Sequence, residues 1–284
     1  MFAITDSTLS NHDWQGSQFS ENRRHYRGRN HLCTSGAGWT PAPALPADPP
    51  YWDDMFANSI RIGVNAAKRT FQPALWIWAL MMGIAVLYYL VPASHGVFNA
   101  LVAIQEKTGV LFASVGMGLS VGILVECLRV LMSKEKRWTQ HNTGSATFNF
   151  IIWSIMGLTQ HYRYAWQVDV FGAGNSFTEL ATKVSFDQFI WTVFFANPYQ
   201  AILYLWKNNR FCWRAVLRQA SPFRTFWGTK MLPMLISNWA FWIPMAFMVY
   251  FFPPELQIPM AILAVTIWVT LLSYLTENTS RDDR

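Results

Sequence analysis

The feature that most restricts this fold is a long uncharged run that nevertheless holds prolines and polar side chains. After Lys230 the chain has no charged residue through Tyr250, and about 20 residues are enough for a helix to cross a bilayer. The run contains Pro233, Ser237, Asn238, Trp239, Trp242 and Pro244. Lipid cannot satisfy polar groups, so neighbouring helices or water must do so. The run therefore predicts one helix of a polytopic bundle rather than a simple anchor.

The composition predicts a membrane protein. Of the 284 residues, 52% are hydrophobic and 13% are charged, whereas an average soluble domain has roughly 25% charged residues. The 15 Trp and 10 Tyr residues are of the kinds that favour the bilayer interface. The net charge of +6 does not indicate nucleic acid as a partner, because the basic residues fall between apolar segments, as the positive-inside rule predicts.

The chain divides into four regions. Residues 1–50 are rich in Ser, Asn, Gly and Pro, which predicts a disordered polar and basic N-terminal region. Residues 51–72 predict an amphipathic juxtamembrane helix, residues 73–276 a transmembrane helical bundle and residues 277–284 a polar tail. The predicted fold class is all-α, a polytopic transmembrane helical bundle with a disordered N-terminal region.

Six apolar segments are predicted within the bundle, at about 74–93, 109–132, 145–167, 184–206, 230–252 and 256–275. The first, second, fifth and sixth approach the roughly 20 residues of a spanning helix. The third and fourth are more polar, so four and six crossings both remain open. Lys and Arg are concentrated in the N-terminal region and in alternate connections, which predicts both termini on the cytoplasmic or topologically equivalent side.

Segments three and four carry polar side chains that need a polar environment. His161 and Arg163 lie near the end of segment three, and Asp187 and Gln188 lie near the start of segment four. An ionisable group within a membrane is costly and is a functional candidate by default. An interfacial location remains open for these residues, because aromatic belts and helix N-termini also hold them. Lys183 precedes Asp187 by four residues, a spacing that favours an ion pair between them.

Segment two carries small residues at every fourth position: Ser114, Gly118 and Gly122. Such a stripe favours close helix packing, either within the chain or as an interface of a homo-oligomer. Near the end of the same segment, Glu126 and Arg129 are three residues apart and are expected to pair. Elsewhere, Pro198, Pro233 and Pro244 predict kinks in segments four and five.

The sequence predicts neither an enzyme nor a metal or cofactor site. It has no P-loop, no Gly-rich dinucleotide turn, no HExxH and no GxSxG motif. The six His residues lack metal-ligand spacing, and the three Cys residues include no CxxC pair. We therefore expect no catalytic residues, no metal and no cofactor. A membrane-embedded catalyst that uses His161 and Asp187 remains a third interpretation, and it requires the two side chains to come within hydrogen-bond reach.

Three ordered elements between residues 150 and 276 resemble the Mpv17/PMP22 family of small integral membrane proteins. Gly157 and the stretch His161 to Tyr164 resemble its glycine followed by a His-x-Trp-Tyr element, and the stretch Asp187 to Phe189 resembles its Asp-Gln helix opening. The family's terminal pattern is matched by Trp227, Pro233, Asn238, Trp239, Ile243, Pro244, Trp268, Leu272, Ser273 and Tyr274. The arginine that usually follows the family's Val-Pro pair is absent here.

The resemblance implies a membrane channel. Members of the family are associated with mitochondrial inner or peroxisomal membranes, and some are described as pore-forming; a bacterial inner membrane is equally compatible with this sequence. We expect a weakly selective pore for small solutes or ions, lined or gated by His161, Arg163, Asp187, Gln188 and Asn238. The alternative is a membrane scaffold or regulatory protein that transports nothing and acts through helix or partner contacts. The expected partners are the lipid bilayer, small solutes or ions and further copies of the chain.

Overall fold

The structure, a computed structural model, describes residues 49–133 and 136–282, and the side chains of residues 53–133 and 136–271. The predicted disordered region, apart from its last two residues, lies outside the described part of the chain. So does Lys134, one of the basic residues on which the orientation prediction depends.

Every regular element among the described residues is a helix, which confirms the all-α prediction. A short 3₁₀ turn, Pro92–Ser94, connects the first two helices. The helices are α1 (Pro49–Leu90), α2 (His95–Thr108), α3 (Val110–Met132), α4 (Gln140–Phe171), α5 (Phe177–Ser185), α6 (Asn197–Asn208), α7 (Trp213–Gln219), α8 (Phe223–Phe251) and α9 (Pro254–Asp282).

Four of these helices are long and apolar enough to cross a bilayer by length and composition. They span Asp53–Leu90, Val110–Met132, Phe223–Phe251 and Pro254–Leu271 and correspond to the first, second, fifth and sixth predicted segments. The exposed side chains of α1 include Trp76 and Leu90, which are 74% and 73% exposed, as expected of a surface that lipid covers. The chain is a helical integral membrane protein.

The third and fourth predicted segments are also helical. Helix α4 is a single helix of 32 residues. Helix α5 continues through a π-helical segment, Phe186–Ala196, into α6. Neither segment is among the four spans identified by hydropathy, so the number of crossings stays a prediction.

Two of the predicted kink prolines follow π-helical segments. Pro198 stands two residues after the segment Phe186–Ala196, and Pro233 stands two residues after Trp227–Met231. Proline lacks an N–H and crowds the carbonyl one turn earlier, and a π turn changes the hydrogen-bond register from i→i+4 to i→i+5. The π segments therefore lie where the proline rings would disturb an ordinary α-helix. Pro244 lies inside α8 without such a segment beside it.

The described residues form two compact units. The first unit comprises the described residues up to Ala66 together with Asn197–Ser237. Its core is built from Ala201, Phe226, Met231 and Met234. Gly63 of α1 packs against α8, since a Cβ at Gly63 would lie 2.9 Å from Ile236 Cβ.

The second unit comprises Ala67–Ala196 and Asn238–Arg284, and within it the small-residue stripe of α3 packs against α4. Ser114 Oγ donates to the Ser154 carbonyl over 3.0 Å. A Cβ at Gly122 would lie only 2.5 Å from the backbone nitrogen of Phe150. Gly118 also packs against Phe150, and Gly157 of α4 lies in turn against the backbone of α3. The stripe is thus covered within the chain and is not available to a second copy.

Candidate functional site

Helix α4 turns one polar face inward within the second unit. Gln160, Arg163, Tyr164 and Gln167 recur at the i, i+3, i+4 and i+7 positions of this helix, a spacing that places side chains on one face. Arg163, Tyr164 and Gln167 are 5%, 7% and 1% exposed. A charged residue is therefore held inside the helical bundle.

Arg163 forms a buried ion pair with Asp187. The Nη1 atom of Arg163 lies 2.7 Å from Oδ1 of Asp187, and the two side chains are 3% and 12% exposed. The same nitrogen donates to the hydroxyl of Tyr250 over 2.6 Å and to Oε1 of Gln167 over 3.2 Å. Nε donates to Oε1 of Gln160 over 2.6 Å. The guanidinium therefore has acceptors from α4, α8 and the π segment.

Gln167 and Tyr250 extend this contact between helices. The Tyr250 hydroxyl accepts from Arg163 and donates to Oε1 of Gln167 over 2.7 Å. Nε2 of Gln167 donates to the carbonyl of Lys183 over 3.4 Å, which connects α4 to α5. The Tyr250 hydroxyl oxygen and Oε1 of Gln167 thus both accept a hydrogen bond from the arginine side chain.

Asp187 and Gln188 lie in the first turn of the π segment. Nε2 of Gln188 donates to Oδ2 of Asp187 over 3.2 Å. Nδ2 of Asn238 is 3.5 Å from Oε1 of Gln188, at the outer limit of a hydrogen bond. Nε1 of Trp239 donates to the Gln188 carbonyl over 2.9 Å. These contacts hold the start of the π segment against α8.

We call these six residues the buried polar network: Arg163, Gln167, Asp187, Gln188, Asn238 and Tyr250. Aromatic rings enclose its charged end. The guanidinium carbon of Arg163 is 4.3 Å from the centroid of the Tyr164 ring and 5.6 Å from that of Trp191, within the range of cation–π attraction. Four of the five residues predicted from sequence as pore-lining or gating groups belong to the network.

His161 does not belong to the network. It lies two residues before Arg163 on α4, and its ring packs edge-on against Tyr162, with 5.4 Å between centroids. Within the described part of the chain its Nδ1 has no hydrogen-bond partner, and Asp187 pairs with Arg163 and Gln188 instead. His161 and Asp187 are therefore not hydrogen bonded to each other in this structure. The enzymatic interpretation requires such a hydrogen bond.

The pair expected between Lys183 and Asp187 is replaced by the pair between Arg163 and Asp187. The Nζ atom of Lys183 is buried and has no hydrogen-bond partner among the described residues. Asp187 lies in the π segment that begins at Phe186, so the i, i+4 spacing of an α-helix does not apply across this boundary. The carboxylate instead meets Arg163 of α4 and the side-chain amide of Gln188.

Sequence reasoning missed Gln167 and Tyr250. Gln167 carried a signal, since it follows Arg163 by four residues and shares its helix face. Tyr250 ends a run in which aromatic residues are frequent, and the interfacial tendency of tyrosine hides its role. Only the fold brings its hydroxyl to the arginine.

A second buried carboxylate, Glu126, lies near the end of α3. Arg129 donates to its Oε2 over 2.9 Å, and Asn142 of α4 donates to its Oε1 over 2.8 Å. Asn142 also completes a capping box with Thr139 at the start of α4. The expected contact between Glu126 and Arg129 is therefore present, and the hydrogen bond from Asn142 to Glu126 anchors the beginning of α4.

The first turn of α5 carries a partly exposed acid, Glu179, with a perturbed pKa. Ser176 caps α5, and its hydroxyl and backbone N–H both donate to the carboxylate of Glu179. These hydrogen bonds lower the pKa of Glu179 below its usual value because they favour the charged form. The capping box at Ser176 fixes where α5 begins, shortly before the π segment that holds Asp187.

The chemistry available to the network is charge compensation and hydrogen bonding. It holds one cation, one anion, amides and a phenol, and within the described residues no group of three His, Cys, Asp or Glu side chains could hold a metal ion. Comparisons of the chain with family models, with curated proteins and with solved structures find no match.

Proposed function

We propose that this integral membrane protein conducts small solutes or ions through a narrow passage that the Arg163–Asp187 ion pair closes. The observation that carries the proposal is a buried charge pair held between three helical elements of a membrane protein. Ionisable residues inside such proteins are costly and typically mark pathways for ions and solutes. Asp187 and Arg163 would set the field along the passage.

The contacts of Arg163 suit a gate that opens without leaving a bare charge. When Asp187 moves away, the guanidinium retains acceptors on Gln160, Gln167 and Tyr250. Asp187 lies in a π-helical segment, and such segments often occur at functional sites. A change of register in this segment would move Asp187 and Gln188 together, because the two are adjacent and hydrogen bonded.

The sequence resemblance supports the same class of function. The elements that resemble the Mpv17/PMP22 family include Asp187, Gln188 and Asn238, three members of the network. On this proposal the protein lies in a bacterial inner membrane or in a mitochondrial inner or peroxisomal membrane. Both termini then face the cytoplasmic or equivalent side, as the distribution of Lys and Arg predicts.

The test is ion and solute flux in proteoliposomes that contain the full-length protein. Asp187→Asn removes the negative charge and leaves Arg163 uncompensated, so we expect the reversal potential to shift toward anion permeation. Asp169→Asn, the same change at an exposed acid of α4, is the matched control and should leave the reversal potential unchanged. Equal selectivity for Asp187→Asn and wild type, with both proteins folded, would place Asp187 outside the passage.

A second function, a membrane scaffold, is favoured by the way the network satisfies itself. Its donors and acceptors bond to one another, and Gln167 and Tyr250 are each 1% exposed. Such contacts can hold helices together without any transport role. Proteoliposomes that stay impermeable although the protein is folded and inserted would favour the scaffold and exclude the pore.

A further inference from the structure

The connection between α6 and α8 has an unusual charge distribution. From Gln188 to Pro254 the sequence contains no Asp or Glu. The basic residues in this interval are Lys207, Arg210, Arg214, Arg218, Arg224 and Lys230. The charged side chains that this connection offers to a partner are therefore all positive.

Helix α7, in the middle of this connection, turns both apolar and basic side chains outward. Trp213 and Leu217 are one turn apart and are 48% and 67% exposed. Arg214 and Arg218 form the adjacent stripe and are also exposed. We call these four residues the basic–apolar face. Val216, on the other side of the helix, is 2% exposed and anchors α7 to the first unit.

Contacts within the first unit hold this face in place. The ring of Trp213 stacks on Trp206 of α6, with 5.0 Å between centroids and 18° between planes. Nε2 of Gln219 donates to Oδ1 of Asn209 over 2.8 Å. The face is therefore part of a folded connection rather than the side of a free peptide.

The position of the connection places this face at the bilayer boundary. Helix α8, which is long and apolar enough to cross a membrane, begins at Phe223, four residues after α7 ends. An exposed Trp and Leu beside two Arg residues match the pattern of a helix that lies in the interface, with apolar side chains in the acyl boundary and basic groups at the headgroups. Arginine suits this role because its planar fork of N–H groups matches phosphate oxygens.

We infer that the basic–apolar face binds an anionic phospholipid of the adjacent leaflet. Arg214 and Arg218 contact the phosphate, while Trp213 and Leu217 lie against the acyl chains. The inference is independent of transport, because it rests on the first unit alone and involves no residue of the buried polar network.

Lipid binding is tested by native mass spectrometry of the full-length protein in detergent, titrated with phosphatidylglycerol or phosphatidylcholine. We expect the first phosphatidylglycerol to bind more tightly than phosphatidylcholine. The double variant Arg214→Gln with Arg218→Gln should weaken phosphatidylglycerol binding by about five-fold for each arginine, the scale for one basic side chain at an anionic surface. Phosphatidylcholine binding should change little.

The matched control is Lys136→Gln with Arg137→Gln, which removes two exposed charges from the connection before α4. It should leave phosphatidylglycerol binding close to wild type, and an equal loss in both double variants would overturn the site. Leu217→Gln keeps the charge and should also weaken binding, because the acyl contact is lost. Glycerol phosphate at the same concentrations should not displace the lipid; displacement would show a site for free phosphate and contradict the inference.

Discussion

The sharpest energetic consequence of the buried ion pair concerns Asp187→Leu. This change removes the carboxylate 2.7 Å from Arg163 Nη1 and leaves a guanidinium that is almost fully buried. Breaking one partner of a buried pair costs about 3–5 kcal/mol. Arg163 retains acceptors on Gln160, Gln167 and Tyr250, so we expect a loss at the lower end, about 3 kcal/mol.

Replacing both partners of the ion pair should destabilise the protein far less than replacing Asp187 alone. In Arg163→Met with Asp187→Leu, removing the desolvation cost gains about 1–4 kcal/mol. Oε1 of Gln160 then loses its donor and Nε2 of Gln188 its acceptor, at about 1–3 kcal/mol for each group left unsatisfied. Since these contributions are of similar size, the free energy of unfolding of the double variant should lie within about 2 kcal/mol of the wild-type value. The double variant should therefore be more stable than Asp187→Leu.

Unfolding in mixed micelles by titration with dodecyl sulfate measures these differences. Asp169→Leu is the control, because Asp169 is an exposed acid of the same helix as Arg163 and should change little. The reasoning is refuted if Asp187→Leu is as stable as the control. It is refuted equally if the double variant is less stable than Asp187→Leu, since the charges would then not be compensating each other.

Three further predictions concern packing, the amide contact and pH. Gly122→Val should destabilise the second unit by about 1–3 kcal/mol or more, measured by the same titration, because its Cβ has no room against the facing backbone; Gly144→Val, where a Cβ meets nothing within 4 Å, is the control. Asn238→Ala should cost only about 0.6 kcal/mol, since its contact with Gln188 is 3.5 Å long; a loss above 2 kcal/mol would mean a stronger contact. The lowered pKa of Glu179 adds stability above its unfolded pKa of about 4.3 that is lost as the pH falls through the folded value. Ser176→Ala should raise that pKa and flatten thermal stability between pH 5 and 3, and an unchanged pH profile would contradict this.

The membrane class could be predicted from sequence because it follows from composition and segment length. Long uncharged stretches allow few alternatives to helices that satisfy their own backbone. The stripe of Ser114, Gly118 and Gly122 could also be predicted from sequence, because small residues at every fourth position share a helix face. Its partner was not predictable, since Gly157 acquires its packing role only when α4 lies against α3.

Most members of the buried polar network could be predicted from sequence, but the contact between Arg163 and Asp187 could not. Arg163 and Asp187 stood out because charges are rare in apolar segments. Their contact joins residues on different helices, and the alternative with Lys183 had the better local spacing. The packing of α4 against the segment that contains Asp187 decided between them, and the spacing within a single sequence does not show which helices pack together.

The most direct test of the gate is flux through the apolar double variant, Arg163→Met with Asp187→Leu, compared with wild type in parallel proteoliposomes. This variant removes both charges from the passage while keeping side chains of similar bulk, and its stability in mixed micelles serves as the folding control. Because the contact that closes the passage is gone, the proposal predicts ion flux above the wild-type level from protein that remains folded and inserted. Wild-type flux from the folded double variant would contradict the claim that this ion pair lies in the passage.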